Sequence, residues 1–233
     1  MTVEHTYKQF DTELEAVRAR VLEMGGLVED QVNKAVEALM DQNATLAEEV
    51  VASDVRVNAL EVESDEACTQ IIARRQPTAS DLRMIMTIIK TITDLERIGD
   101  EAVKIARFTV KSVNNDRIAT PRYSEIRYMS DIALKMLRTS LDSFARLDPS
   151  SAASVARQDM EVDEEFHLIV RHLITYMMED PRNISMFIDL MFVVKAIERI
   201  GDHAKNISEY VVYMVKGKDV RHTTLEQLEK ELS

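Results

Sequence analysis

The sequence predicts an all-α protein made of two tandem, sequence-related antiparallel three-helix bundles. Only five glycines and four prolines interrupt the 233 residues, and aromatic residues make up 5% of the chain. Strong helix formers dominate instead, whereas a sheet protein needs more turn and strand formers. The pentapeptide Glu-Arg-Ile-Gly-Asp occurs at residues 96–100 and again at 198–202, an offset of 102 residues (198 − 96 = 102). Two copies in similar helical settings indicate an internal duplication.

The first half of the chain divides into three helices by its apolar spacing and its breakers. Gly25 and Gly26 lie where the apolar periodicity continues, so they predict a kink or a close helix approach within the first helix. Pro77 ends the second helix, and Ser80 is the expected N-cap of the third. The three helices are expected over residues 6–40, 44–74 and 80–113.

The second half repeats this order after a polar linker that runs from Asn114 to Pro121. Gly217 suits the C-cap of its last helix, and the polar tail beyond it is expected to form a short, weakly held helix. The helices are expected over residues 124–147, 151–178 and 184–216. Long helices with short connections pack as antiparallel bundles. The predicted units are therefore the bundle of residues 1–116, the bundle of residues 121–217, and the tail, residues 218–233.

Composition narrows the classes of function. The formal net charge of −12 argues against a nucleic-acid-binding surface, which needs a basic stripe. No apolar stretch is long enough to span a bilayer, and the first residues lack the basic and apolar regions of a secretory leader. The single cysteine, Cys68, lies in an apolar helical register and is expected to be a buried thiol. We therefore expect a cytoplasmic protein.

Each pentapeptide places two carboxylates on one helix face, Glu96 with Asp100 and Glu198 with Asp202. Carboxylates beside an apolar stripe repel one another and lose hydration unless a cation compensates. Magnesium, calcium, manganese and iron prefer such oxygen ligands. The pattern therefore predicts a metal site in each repeat. Acids on the second and fifth helices are further candidate ligands: Asp54, Asp65, Asp159 and Asp163.

A solvated helix face with internal ion pairs is the alternative interpretation of the first acidic pair. Arg97 could pair with Asp94 or Glu101, and Lys104 could pair with Asp100. The recurrence of the acidic interruption in both halves, together with the neighbouring glycine, makes the metal site as well supported as this alternative, and from the residues alone both interpretations stay open.

Each pentapeptide also carries a glycine inside a helix, Gly99 and Gly201. A glycine there costs about 1 kcal/mol relative to alanine. We expect the two glycines to allow a close helix approach beside the acidic pair.

The sequence contains few features of an enzyme. It has no phosphate-binding glycine loop and no His-Glu-x-x-His motif. Glu164 and His167 form a single Glu-x-x-His pair, whereas a ferritin-like di-iron site needs two. A carboxylate-bridged metal enzyme of the ferritin-like or phosphatase type is the alternative function, but it needs a proton-transfer group beside the acids. We expect no enzymatic activity.

The two signature segments, residues 94–102 and 196–204, resemble the paired acidic signatures of the PhoU family of phosphate-specific transport system accessory proteins. Residues 76–77, 81–83, 180–183 and 217–222 are similar to the family as well. The resemblance covers nearly the whole chain except the tail after His222. One departure is Asp94, whose counterpart is Ala196.

The resemblance implies a cytoplasmic, often dimeric regulator that restrains the phosphate-starvation response and phosphate uptake. Its implied partners are subunits of the phosphate ABC transporter and a membrane sensor histidine kinase, reached through protein contacts. The resemblance also implies divalent or trivalent metal ions on the signature carboxylates, with iron, manganese, magnesium, zinc and calcium as candidates.

Overall fold

The structure, a computed structural model, describes residues 8–113 and 123–232. These residues contain helices and no strand, which confirms the predicted class. Single turns of 3-10 helix at Pro149–Ser151 and Pro181–Asn183 precede the fifth and sixth α-helices. The seven helices are α1 Lys8–Asp41, α2 Ala44–Arg75, α3 Ala79–Val113, α4 Tyr123–Arg146, α5 Ala152–Glu179, α6 Ile184–Lys216 and α7 Leu225–Leu232.

Helices α1, α2 and α3 pack against one another, and α4, α5 and α6 do the same. The two three-helix bundles predicted from the duplication are therefore present. They join mainly along α3 and α6, with α1 also contacting α4. One apolar core runs through both bundles and includes the fully buried side chains of Leu95, Ile98, Ile200 and Ile207. The two pentapeptides lie on these central helices.

Gly25 marks the place where α1 approaches α4. A Cβ atom at Gly25 would lie 2.6 Å from Cδ2 of Leu141, whereas a Cβ at Gly26 would meet nothing within 4 Å. Helix α1 continues through both glycines. The expected close approach is confirmed at Gly25, because a Cβ atom there would require the Leu141 side chain to move.

The observed helix ends follow local hydrogen bonds. Asn43 caps α2 by accepting a hydrogen bond from the backbone N–H of Leu46 at 3.1 Å. The prediction that Ser80 caps α3 is wrong. Helix α3 begins at Ala79 because the carbonyl of Thr78 accepts the first helical hydrogen bond from Leu82 at 2.8 Å. Gly217 ends α6 in the left-handed conformation with φ of 71°, as expected.

The tail is held by a small apolar contact. Val220 and Leu228 of the tail pack with Ala152 and Val212 in a second, separate cluster of buried residues. The predicted linker, Asn114 to Pro121, lies outside the described residues. Among the described residues, no helix is both long enough and apolar enough to cross a membrane. Cys68 is a buried free thiol, as predicted, and burial raises its pKa to about 12.

Candidate functional site

The first acidic cluster lies where α2 packs against α3. It consists of four carboxylates: Asp54 and Glu61 from α2, and Glu96 and Asp100 from α3. Burial raises the pKa of Glu96, and the charges of the other three carboxylates raise it further. Each ionised member therefore disfavours ionisation of its neighbours. The structure brings three of the predicted residues together and adds Glu61.

Asp54 carries an unsatisfied oxygen in this cluster. Its Oδ2 accepts a hydrogen bond from Asn58 Nδ2 at 3.2 Å, whereas Oδ1 is buried and has no donor in hydrogen-bonding geometry. Gln31 lies near enough to lower the pKa of Asp54, but burial has a larger effect and raises that pKa. A buried acceptor without a donor costs about 1–3 kcal/mol. This oxygen would be stabilised by a cation, or by the amide N–H of Gln31 after rotation of the Gln31 amide, whose own oxygen also has no donor.

No ion pair neutralises the first acidic cluster within residues 8–113 and 123–232. Lys104 contacts Glu101 at 2.9 Å, so the alternative in which Lys104 pairs with Asp100 is wrong. Arg107 lowers the pKa of Asp54 by its charge but makes no contact ion pair with it. Arg97 lowers the pKa of Glu96 in the same way, so the negative charge on this face is compensated only through space and not by a contacting cation.

The second acidic cluster is the equivalent site between α5 and α6. Its members are Asp159 and Asp163 from α5, and Glu198 and Asp202 from α6. Burial raises the pKa of Asp202 to about 6, and the charges of Glu198, Asp159 and Asp163 contribute. All four predicted candidates of the second repeat therefore share one electrostatic environment.

Two lysines compensate the second acidic cluster. Lys205 Nζ donates to Asp159 Oδ2 at 2.5 Å, and Lys195 pairs with Glu198. The ammonium of Lys195 also lies 5.3 Å from the ring centroid of Phe166, within range of a cation–π contact. Sequence reasoning missed both lysines.

Asp65 lies apart from the centre of the first acidic cluster. Its charge raises the pKa of Glu61, and its side chain is exposed. It follows Asp54 by eleven residues. That separation corresponds to about 16 Å along a helix. Asp54 and Asp65 therefore cannot bind the same ion.

The described residues contain no group of three or more His, Cys, Asp and Glu side chains placed to hold one metal ion. The clusters instead present carboxylates as pairs along a helix and across a helix contact. An ion held by one or two carboxylates keeps several water ligands, which is the usual arrangement for magnesium.

The two signature glycines differ in their surroundings. A Cβ atom at Gly99 would lie 3.1 Å from Oε1 of Gln31 and 3.6 Å from Oδ1 of Asp54. At Gly201 the nearest atom would be Cγ1 of Val162, at an ordinary contact distance of 3.5 Å. The expectation that glycine is needed for close approach is therefore wrong at Gly201. At Gly99 the tight contact involves a polar side chain beside the first acidic cluster.

A buried polar pair joins the two bundles. His203 Nδ1 lies 2.7 Å from Asp94 Oδ1, and both side chains are buried. With the offset of 102, Asp94 corresponds to Ala196 and His203 to Glu101. At the corresponding position Glu101 instead contacts Arg199 at 2.9 Å. Sequence reasoning missed the pair, although both of its members are departures from the repeat.

Comparison with protein families gives a match over most of the chain. The family model described as PhoU domain matches residues 21–109 and residues 126–211. These two ranges fall on the two bundles and include both acidic clusters.

Curated relatives match at high identity. A phosphate-specific transport system accessory protein PhoU homolog from Pseudomonas putida is 49% identical over 98% of this chain and 89% of the relative. The phosphate-specific transport system accessory protein PhoU from Escherichia coli strain K12 is 45% identical over 98% of this chain and 94% of the relative.

Two solved structures have the same architecture. The crystal structure of PhoU from Pseudomonas aeruginosa superposes with a TM-score of 0.87 at 48% identity, over 90% of this chain and 100% of that one. The phosphate transport system regulatory protein PhoU from Streptococcus pneumoniae has a TM-score of 0.82 at 28% identity, over 91% of this chain and 99% of that one.

Proposed function

This chain belongs to the PhoU family, and we propose on that basis that it is a cytoplasmic regulator that restrains phosphate uptake and the phosphate-starvation response. The identity to accessory proteins of the phosphate-specific transport system is the observation that carries the proposal. That identity extends over both bundles. The relatives are named accessory proteins, in agreement with the expectation that this chain is not an enzyme.

We propose that the regulator acts through protein contacts with the phosphate ABC transporter and a sensor histidine kinase. The net charge of −12 is unfavourable for direct binding to DNA, so control of transcription would be indirect. Long helices offer broad faces on which partner helices or loops can dock. The homodimer that the resemblance implies stays a prediction.

We further propose that the acidic clusters hold hard cations. Glu96 and Asp100 would hold a hydrated ion in the first repeat, and Glu198 and Asp202 would do so in the second, with Asp54 and Asp159 as neighbouring acids that add negative charge. The support is chemical: carboxylates at each cluster raise the pKa of a neighbour, and Asp54 has a buried oxygen without a donor. An ion bound there would supply positive charge that relieves this repulsion.

The alternative of a carboxylate-bridged metal enzyme has less support. His203 contacts Asp94, and His172 contacts Glu125, rather than either acidic cluster. A general acid or base must reach the reacting group within hydrogen-bonding distance. Neither histidine is placed to act at the carboxylates.

A deletion strain tests the regulatory proposal. We expect a phosphate-starvation reporter to stay on at high phosphate after the gene is deleted. Expression of the wild-type protein should restore repression of the reporter. The double variant Asp100→Asn plus Asp202→Asn should accumulate normally and restore silence only in part, because it lacks one acid in each cluster. A reporter that remains silent in the deletion strain would contradict the regulatory role.

A further inference from the structure

A basic cleft opens between α3 and α6, on the boundary of the two bundles. Its volume is about 470 Å³, within the range of about 300–1,000 Å³ typical of small-molecule sites. It lies beside the acidic clusters and contains none of their members. Five cationic side chains line it: Lys104, Arg107 and Lys111 from α3, and Lys195 and Arg199 from α6.

The charge of the basic cleft is opposite to that of the chain. Five cations face two lining carboxylates, Glu101 and Asp189, in a protein of net charge −12. Glu101 is shared by two cations at 2.9 Å, and Lys111 contacts Asp189 at 2.5 Å. Arg107 makes no ion pair with any residue that the structure describes. The cleft therefore keeps an excess of positive charge after its internal pairs are formed.

Lys195 and Arg107 connect the cleft to its acidic neighbours. Lys195 pairs with Glu198 of the second acidic cluster, and Arg107 interacts through charge with Asp54 of the first. Lys195 is therefore paired with a carboxylate outside the lining of the cleft, whereas Arg107 lines the cleft without an ion pair among the described residues. Cations that converge on one concavity recognise a ligand with several adjacent anionic groups.

Two aromatic rings complete the lining. Phe108 and Phe192 face the cleft, and Phe192 is 69% exposed. With the offset of 102 they correspond to Tyr210 and Lys90, at the other end of the contact between α3 and α6. There Lys90 lies over the ring of Tyr210 at 5.4 Å, so the aromatic group has a partner from the chain itself. Phe192 has no ring or cation partner of this kind within the described ranges.

We propose that the basic cleft binds a nucleoside polyphosphate. Adjacent phosphate groups match the cluster of Lys104, Arg107 and Lys111, which can donate several charge-assisted hydrogen bonds. An aromatic base matches the exposed ring of Phe192, because every base offers a face for stacking. A single inorganic phosphate would leave most of the 470 Å³ and both rings without contacts.

Isothermal titration calorimetry on the full chain tests this assignment with ATP, tripolyphosphate, inorganic phosphate and adenosine as probes. We expect ATP to bind most tightly, with tripolyphosphate weaker and the other two weakest. Arg107→Gln plus Lys111→Gln should weaken ATP binding by about tenfold or more, since it removes two charge-assisted contacts. Phe192→Ala should weaken ATP by about tenfold and leave tripolyphosphate unchanged.

A charge-matched control separates the cleft from general electrostatics. Lys34→Gln plus Arg146→Gln also removes two positive charges, from a partly exposed side chain on α1 and an exposed one on α4. This control should bind ATP as the wild type does, and circular dichroism should report the same helicity for all variants. Equal loss in the control and the cleft variant, or no ATP binding by the wild type, would overturn the proposal. Unchanged ATP binding by Phe192→Ala would overturn the assignment of a nucleoside.

Discussion

The first acidic cluster has four carboxylates and no contacting cation among the described residues, whereas the second has four carboxylates and two lysines. The difference arises at few positions. Lys195 corresponds to Thr93 with the offset of 102. Phe166 follows Asp159 by seven residues on α5, and Glu61 follows Asp54 by seven residues on α2. The second cluster therefore has a phenylalanine at the position where the first has a glutamate. One duplicated pattern has therefore produced one acidic site without a contacting cation among the described residues and one in which two of the four carboxylates are paired with lysine.

This difference predicts unequal affinity for cations, and it is the largest effect we expect. Manganese should bind the first acidic cluster about tenfold more tightly, because an ion at the second must displace lysine contacts. Asp202→Asn leaves the first cluster intact, and Asp100→Asn leaves the second. Calorimetric titration of the two variants with manganese gives the two affinities.

An exchange of the two counterpart residues tests the cause. In the Asp100→Asn background, Lys195→Thr should raise the manganese affinity of the second acidic cluster. In the Asp202→Asn background, Thr93→Lys should lower that of the first. Equal affinities before the exchange would contradict the comparison, and absence of binding in wild-type protein would contradict the metal proposal itself.

The helices and the duplication could be predicted from the sequence because they depend on local periodicity and on Pro and Gly. Membership of the acidic clusters depends on how far one helix is shifted along its neighbour, which no single helix encodes. Asp65 shares a face with Asp54, yet Glu61 is the residue that lies beside Glu96. The lysine at position 205 was missed for the same reason, since its partner lies on another helix.

The contact between the bundles could have been suspected from the sequence by looking for residues that break the internal repeat. Asp94 and His203 both depart from the repeat, and the two departures contact each other in the structure. Pairs of residues that break a duplication are therefore candidates for contacts at which the two copies must differ. Identifying the partner still required the packing of α3 on α6.

The second prediction concerns how ionisation of Asp202 in the second acidic cluster changes the free energy of unfolding with pH. Burial and neighbouring carboxylates raise the pKa of Asp202 from 3.8 to about 6. A raised carboxyl pKa means that folding disfavours the charged form, so Asp202 destabilises the protein above pH 6 and not below 3.8. The residue as a whole is exposed even though its carboxyl group is partly desolvated, so screening by solvent reduces the effect to about 1 kcal/mol.

Asp202→Asn should accordingly be more stable than wild type at neutral pH, and the two should converge as pH falls from about 6 towards 3.8. Urea unfolding in the presence of a chelator measures this difference in the free energy of unfolding. Asp131→Asn, at an exposed position on α4, is the control for the loss of one negative charge. If Asp202→Asn were more stable by the same amount at every pH, or if Asp131→Asn gave the same increase in stability, the increase would not come from the ionisation of Asp202.

The smallest expected effect separates the two signature glycines. Gly201→Ala should stabilise the protein by about 0.5–1 kcal/mol, because alanine is the better helix former and the new methyl meets Val162 at 3.5 Å. At Gly99 the methyl would lie 3.1 Å from Gln31 Oε1, beside the unsatisfied oxygen of Asp54. Displacement of Gln31 should offset the helix gain, so Gly99→Ala should be no more stable than wild type.

Gly26→Ala and Gly25→Ala in α1 are reference variants for this comparison, one in open space and one in a close contact. Nothing lies within 4 Å of a Cβ at Gly26, so that variant should gain the full helix propensity. A Cβ at Gly25 would meet Leu141 at 2.6 Å, so that variant should lose stability through overpacking. If Gly99→Ala gained as much as Gly201→Ala and Gly26→Ala in urea melts, Gln31 would be free to move. The two glycine environments would then be equivalent, and the asymmetry of the repeats would be confined to their charges.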